Sequence, residues 1–251
     1  VLISVTGGAA TLELNAKQKL VFRRGLIHAA KVASSVSDNE MATVPWIVSG
    51  GTRSGVMELV GRTAAGIGPQ GPDRDTYIPC IGICPWGIVS QREGLEQEAA
   101  YPQPAAASSE EDEEEERPQK YGSGQAYEYQ KGEDDPRTPR GGQGKVLQSM
   151  LDTNHSHFFF VDDGKVGKYR CDIGLRAAFE KMVTRTCFGE DKEGDRFPSP
   201  PLVLLVVGGG HGTFKTVLAK LKAEPPSPVV CLPDSGGAAV VHYHAQLHPP
   251  F

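Results

Sequence analysis

Leu202-Val203-Leu204-Leu205-Val206-Val207-Gly208-Gly209-Gly210 is the stretch that decides the fold. Six apolar residues in a row leave no polar face for water, so they predict a strand buried on both sides. The three glycines predict a tight turn at its carboxyl end. The same grammar recurs along the chain. Val1–Val5 leads into Thr6-Gly7-Gly8, Val44–Val48 into Ser49-Gly50-Gly51, and Val229–Leu232 into Asp234-Ser235-Gly236-Gly237. Ile78–Cys84 and Phe158–Val161 are further strand candidates, and helical patterns run over Lys17–Ser34, Ser54–Ala65 and Asp172–Arg185. Strand, glycine turn and helix in alternation predict an α/β fold, a doubly wound parallel sheet. Such a sheet takes ligands at the carboxyl ends of its strands, where these glycines fall.

The chain has 251 residues, 39% hydrophobic and 23% charged, enough for a packed core. No run approaches the roughly 18 apolar residues of a membrane-spanning helix. No signal peptide is visible, and the opening Val1-Leu2-Ile3-Ser4-Val5 starts in mid-strand, so a domain of a longer protein is expected. The net charge is −5, and residues 101–145, with 11 acids and 6 bases, account for all of it. The remaining 20 acids and 20 bases balance, which argues against a nucleic-acid partner. Residues 101–145 are rich in Pro, Gly, Ser and Gln and hold an unbroken acidic run, Glu110–Glu116. They have too little apolar surface to offset ordering entropy and are expected to form a disordered insertion within one domain spanning 1–251. Five irregularly spaced cysteines point to free thiols in a reducing compartment, Cys80 and Cys84 among them.

A glycine turn between strand and helix offers unpaired N–H groups and the positive end of a helix dipole, and both favour phosphate. Thr6, Gly7 and Gly8, Gly50, Gly51 and Thr52, and Ser235 and Gly236 are therefore candidate ligand contacts. Gly209, Gly210, Gly212 and Thr213 extend the set. No turn has the Walker A or the Gly-x-Gly-x-x-Gly spacing. Asp162-Asp163-Gly164 reads as a turn, His155 and His157 as a structural pair, and Trp46 and Trp86 as core. The tail histidines His242, His244 and His248 suggest no role.

Several segments resemble the N-terminal cytosolic homology region of melastatin-type transient receptor potential (TRPM) channels. They are Ile3-Ser4-Val5-Thr6-Gly7-Gly8 with Phe22-Arg23-Arg24-Gly25-Leu26, Trp46-Ile47-Val48-Ser49-Gly50-Gly51 with Ser54-Gly55-Val56-Met57, and Pro85-Trp86-Gly87-Ile88-Val89 with Arg92-Glu93-Gly94-Leu95. Asn154-His155-Ser156-His157-Phe158-Phe159-Phe160-Val161-Asp162-Asp163-Gly164 is the most specific. The resemblance covers nearly all the chain outside the acidic insertion and looks strongest to the ADP-ribose-gated members. It implies a Rossmann-like fold of the SLOG (LSDAT) group, related to the LOG phosphoribohydrolases. It also implies a cytosolic domain of an integral membrane protein, a homotetrameric calcium-permeable channel, and ADP-ribose or a similar nucleotide as ligand, with no catalytic cofactor.

The resemblance adds Ser54 and Met57 to the implied pocket. It also points to Tyr169-Arg170-Cys171-Asp172-Ile173-Gly174-Leu175-Arg176, in which Tyr169 would stack on adenine and Arg176 would pair with the diphosphate. Without it, Tyr169 reads as core and Arg176 as a surface arginine. One departure weakens the expectation: binding members carry an Arg where this chain has Gly237, beside Asp234. Arg53 or Arg170 could compensate. A second departure bears on catalysis. The LOG motif Pro-Gly-Gly-x-Gly-Thr-x-Glu-Glu is met here by Gly208-Gly209-Gly210-His211-Gly212-Thr213-Phe214-Lys215-Thr216, with both glutamates replaced. Cleavage of an N-glycosidic bond needs a carboxylate, so binding without turnover is expected. A LOG-like hydrolase and a ligand-free assembly domain stay open as alternatives.

Overall fold

The computed structural model describes residues 1–9, 12–35, 44–66, 78–92, 95, 148–185 and 199–247. The chain divides into two units, Val1–Ser90 with Asp135–Phe251, and Gln91–Asp134. Gln91, Arg92 and Leu95 are the described residues of the second, and the account below concerns the first. The acidic segment 101–145 and His248 lie outside the described residues.

Six strands form one sheet: β1 (Leu2–Gly7), β2 (Trp46–Ser49), β3 (Cys80–Pro85), β4 (His157–Val161), β5 (Leu202–Val207) and β6 (Val229–Leu232). All neighbours are parallel, in the order β4-β3-β2-β1-β5-β6. The chain winds outward from β1 to β4, then crosses back to lay β5 and β6 on the other side of β1. The reversal point between β1 and β5 opens a crevice outside their carboxyl ends, where doubly wound sheets bind ligands. The expected fold class is the one observed.

Helices α1 (Ala16–Ser35) and α2 (Gly55–Ala65) share one core with the sheet. Phe22, Leu26 and Ala30 of α1 and Val56, Val60 and Ala64 of α2 recur every four residues and meet Ile3, Val5, Ile47 and Val207. Leu2, on the opposite face of β1, joins Val48, Ile81, Ile83, Val183 and Leu202, with Phe179 of α3 (Asp172–Val183) packed against them. Leu204 and Val206 meet Val217 of α4 (His211–Leu221) and Ala239 of α5 (Gly237–Leu247). Each fully buried Val, Leu, Ile or Phe side chain among them contributes about 1.5–3 kcal/mol.

Several boundaries differ from expectation. The predicted strands Val44–Val48 and Ile78–Cys84 each contain a proline, and the real strands start immediately after Pro45 and Pro79. Proline has no N–H to give to a ladder. Helices α4 and α5 were not predicted. The glycines at 208–212 mask the start of α4, and Val240, Val241 and the histidines of α5 are weak helix formers. Trp46 and Trp86 are half-buried rather than core residues; Trp46 packs against the Val48 cluster, and Trp86 meets Phe160 edge-on at 5.1 Å.

Candidate functional site

The carboxyl ends of β1, β2, β3, β5 and β6 surround a cleft of about 530 Å³. Fourteen of the sixteen candidate residues line it. From β1 come Thr6, Gly7 and Gly8; from the turn after β2, Gly50 and Thr52; from α2, Met57. Gly209, Gly210, Gly212 and Thr213 follow β5, Ser235 and Gly236 follow β6, and Tyr169 and Arg176 come from before and within α3. Gly51 and Ser54 are the two that do not line it. Gly51 is packed against β3: a Cβ there would come within 2.7 Å of the Gly82 Cα. Ser54 borders a smaller hollow of about 310 Å³ with Lys19, Glu58 and Arg62.

The start of α4 opens into this cleft without a side-chain cap, because the N-cap position is Gly210. The first bond of the helix runs from the Phe214 N–H to the Gly210 carbonyl at 3.1 Å. The N–H groups of His211, Gly212 and Thr213 therefore have no partner within the helix. Together with the helix dipole they make a seat for an anion. Thr213 Oγ1 donates to the Gly7 carbonyl at 3.4 Å and ties this helix end to the β1 turn. Ser235 Oγ accepts from the Gly208 N–H at 2.7 Å and donates to the Leu232 carbonyl at 2.5 Å, so its hydroxyl holds two turns together.

Arg176 differs most from its sequence reading as a surface residue. It is 6% exposed. Nε donates to Glu180 Oε1 at 3.0 Å, and Nη2 donates to Ser4 Oγ and the Val5 carbonyl at 2.8 Å and to the Val48 carbonyl at 3.3 Å. None of these bonds uses Nη1. Glu180, fully buried, also accepts from Ser4 Oγ at 2.5 Å and pairs with Lys220 of α4. Burial alone would raise the Glu180 carboxyl. The Arg176 and Lys220 charges and the hydrogen bonds from Lys220 and Ser4 outweigh it and hold the group below the usual glutamate value.

The cleft holds two carboxylates, Glu13 and Asp172, and burial pushes Asp172 up against the opposing pull of backbone bonds and Arg176. Tyr169 stands half-exposed at the wall rather than in the core. Arg170 also lines the cleft, whereas Arg53 does not and lies 3.9 Å from Glu58. Gly237 lines it too, with φ at +55°, and a Cβ there would overlap the Gly209 carbonyl. Of the two positions departing from the LOG glutamates, Thr216 lines the cleft and Lys215 does not. Sequence reasoning missed Leu12 and Glu13, which carry no motif, and gave no ligand role to Pro85 and Ile88, which it met only within the Pro85–Val89 segment of the resemblance.

Behind the site, His155 proves buried and His157 exposed. His155 Nδ1 lies 2.9 Å from Asp152 Oδ2 and Nε2 lies 2.7 Å from Ser49 Oγ. A carboxylate only accepts, so Nδ1 carries the proton in that bond. The order resembles a hydrolase triad, but Ser49 is fully buried and outside the cleft lining, which denies it a substrate. The group is a tether. Ser49 Oγ accepts from the Gly51 N–H, the Asp152 N–H donates to the Gly51 carbonyl, and the Arg53 N–H donates to the Met150 carbonyl, which together pin the β2 turn. Asp162 and Asp163 accept from the N–H groups of Gly164 and Lys165 and form the expected turn.

Fold and cleft define the class: a doubly wound α/β domain with a glycine-lined crevice at its switch point, onto which an uncapped helix start opens. A family model described as SLOG in TRPM matches residues 1–120 and 134–248. The chain is 36% identical over 247 residues, 98% of its length, to the transient receptor potential cation channel subfamily M member-like 2 of Nematostella vectensis. Over 230 residues, 91% of the chain, it is 31% identical to subfamily M member 2 of Mus musculus. Subfamily M member 1 of the same species is 31% identical over 242 residues, 95% of the chain. The chain belongs to the family of SLOG domains of TRPM channels. It spans 12–13% of the length of these relatives, and no described helix is long and apolar enough to cross a membrane.

Proposed function

We propose that this chain is the cytosolic ligand-sensing domain of a TRPM-like, calcium-permeable cation channel. Its cleft takes ADP-ribose or a related nucleotide and regulates gating without turning the ligand over. The observation that carries the reading is the uncapped start of α4 opening into a cleft lined by four glycine turns. The phosphates sit on the N–H groups at 211–213, and the base lies against Tyr169. Ligand binding at the junction of the two sheet halves biases the gating equilibrium through its differential affinity for two channel states. The rest of the channel, as a homotetramer, is the partner.

Calorimetric titration with ADP-ribose, with AMP and NAD as controls, tests this. Saturable heat that Tyr169→Ala weakens is expected; the side chain is half-exposed, so that variant spares the core. No heat and no shift in melting temperature at millimolar ligand would overturn the reading. The second reading, an assembly domain without ligand, has one observation in its favour: Nε and Nη2 of Arg176 are already committed inside the fold.

A further inference from the structure

We infer that Arg170 is the guanidinium by which the cleft captures the diphosphate of its ligand, an inference that rests on the ligand-sensing reading above. The charged residues of the cleft lining are Glu13, Arg170, Asp172 and Arg176. Arg176 spends Nε and Nη2 on Glu180, Ser4 and two carbonyls. Arg53 lies outside the lining, near Glu58. Position 237 has no room for a side chain. Arg170 makes no side-chain hydrogen bond or ion pair among the described residues, and it is the cation of the cleft that has no internal partner.

Its placement fits the role. Arg170 precedes α3, and its Cγ lies 3.9 Å from where a Cβ on Gly212 would sit, over the first turn of α4. A phosphate on the N–H groups at 211–213 therefore comes within reach of the Arg170 fork, which matches two phosphate oxygens at once. The backbone supports the point: φ at Arg170 is +90°, a region that residues with a Cβ avoid and glycine enters freely. An arginine kept in such a conformation at a cleft wall is the pattern expected where strain serves a site. Glu13 and Asp172 in the same lining disfavour a polyanion and suit sugar hydroxyls, so the ligand class is a diphosphate carrying a diol rather than a bare triphosphate.

The test compares the native chain with Arg170→Gly, Arg170→Lys and Arg53→Ala by calorimetry, using ADP-ribose and inorganic pyrophosphate as probes. Arg170→Gly suits the positive φ, so it folds and melts no lower than the native chain. Its ADP-ribose affinity is expected to fall about ten- to hundredfold. Arg170→Lys recovers part of the loss, and Arg53→Ala changes nothing. Equal binding of both probes by Arg170→Gly and the native chain overturns the inference. If the native chain binds pyrophosphate through Arg170 but not ADP-ribose, the nucleotide reading fails and the role of Arg170 stands. If it binds neither, both fall.

Discussion

Glu180 is one carboxylate shared by two cations in the middle of the α3–α4 face. Removing one partner of a buried ion pair leaves the others uncompensated, at about 3–5 kcal/mol. Glu180→Gln is expected to lose stability of that order in urea denaturation. The group also sets an acid limit. Its carboxyl lies lower folded than unfolded, so its contribution is fully present above the unfolded value and is lost as pH falls through the folded one. Urea midpoints taken at decreasing pH should therefore fall more steeply for the native chain than for Glu180→Gln. Gly237 gives the opposite kind of prediction. Arginine at this position is not a missing contact waiting to be restored, since its φ is +55° and the Gly209 carbonyl occupies the Cβ position. Gly237→Arg should lower the melting temperature, by roughly 1–3 kcal/mol in stability, without tightening ADP-ribose.

At the level of elements, the turn after β2 is pressed against β3. The Cβ of an alanine at position 82 would sit 2.6 Å from the Gly51 Cα and 2.9 Å from the Phe158 ring. Gly82→Ala must push strand and turn apart, and should destabilise the chain by about 1–3 kcal/mol and weaken ligand binding together, read by thermal melts and titration. Strands ending in glycine were legible in the sequence because the signal is local: an apolar run and the turn that stops it. The cleft residues came with them, since parallel topology brings every strand's carboxyl end to one edge. Arg176 was not legible as a buried residue because its partners Ser4, Val5 and Val48 come from two distant strands, and sequence spacing shows only Glu180 on the same helix face. Helix α4 was hidden because glycines at its start serve the turn and the cleft at once. Pro45 and Pro79 mark the true strand starts in the sequence, because a residue without an N–H cannot join the ladder however apolar the run around it.

At the scale of the whole domain, a ligand seated at the switch point as proposed would touch the ends of β1 and β2 on one side of the reversal and of β5 and β6 on the other, and would stabilise the fold as one unit. At a hundred times its dissociation constant it adds about 2.7 kcal/mol. For a chain of this size that corresponds to a rise in melting temperature of about 5–10 °C, measurable by calorimetric scanning with ADP-ribose. Strand β3 has a consequence of a different kind. Cys80 and Cys84 are buried in it; burial, with Asp152 nearby, pushes the Cys80 thiol far up, and burial, with Asp172 and Cys171, pushes Cys84 up to about 12. Neither forms appreciable thiolate at neutral pH, and neither meets solvent. Cys171 and Cys231 are partly exposed. Burial raises these two thiols as well, but their partial exposure lets alkylating reagents reach them in the folded chain, whereas Cys80 and Cys84 should react only when the sheet opens, which gives the native sequence an intrinsic clock for its own unfolding, one that a bound nucleotide would slow.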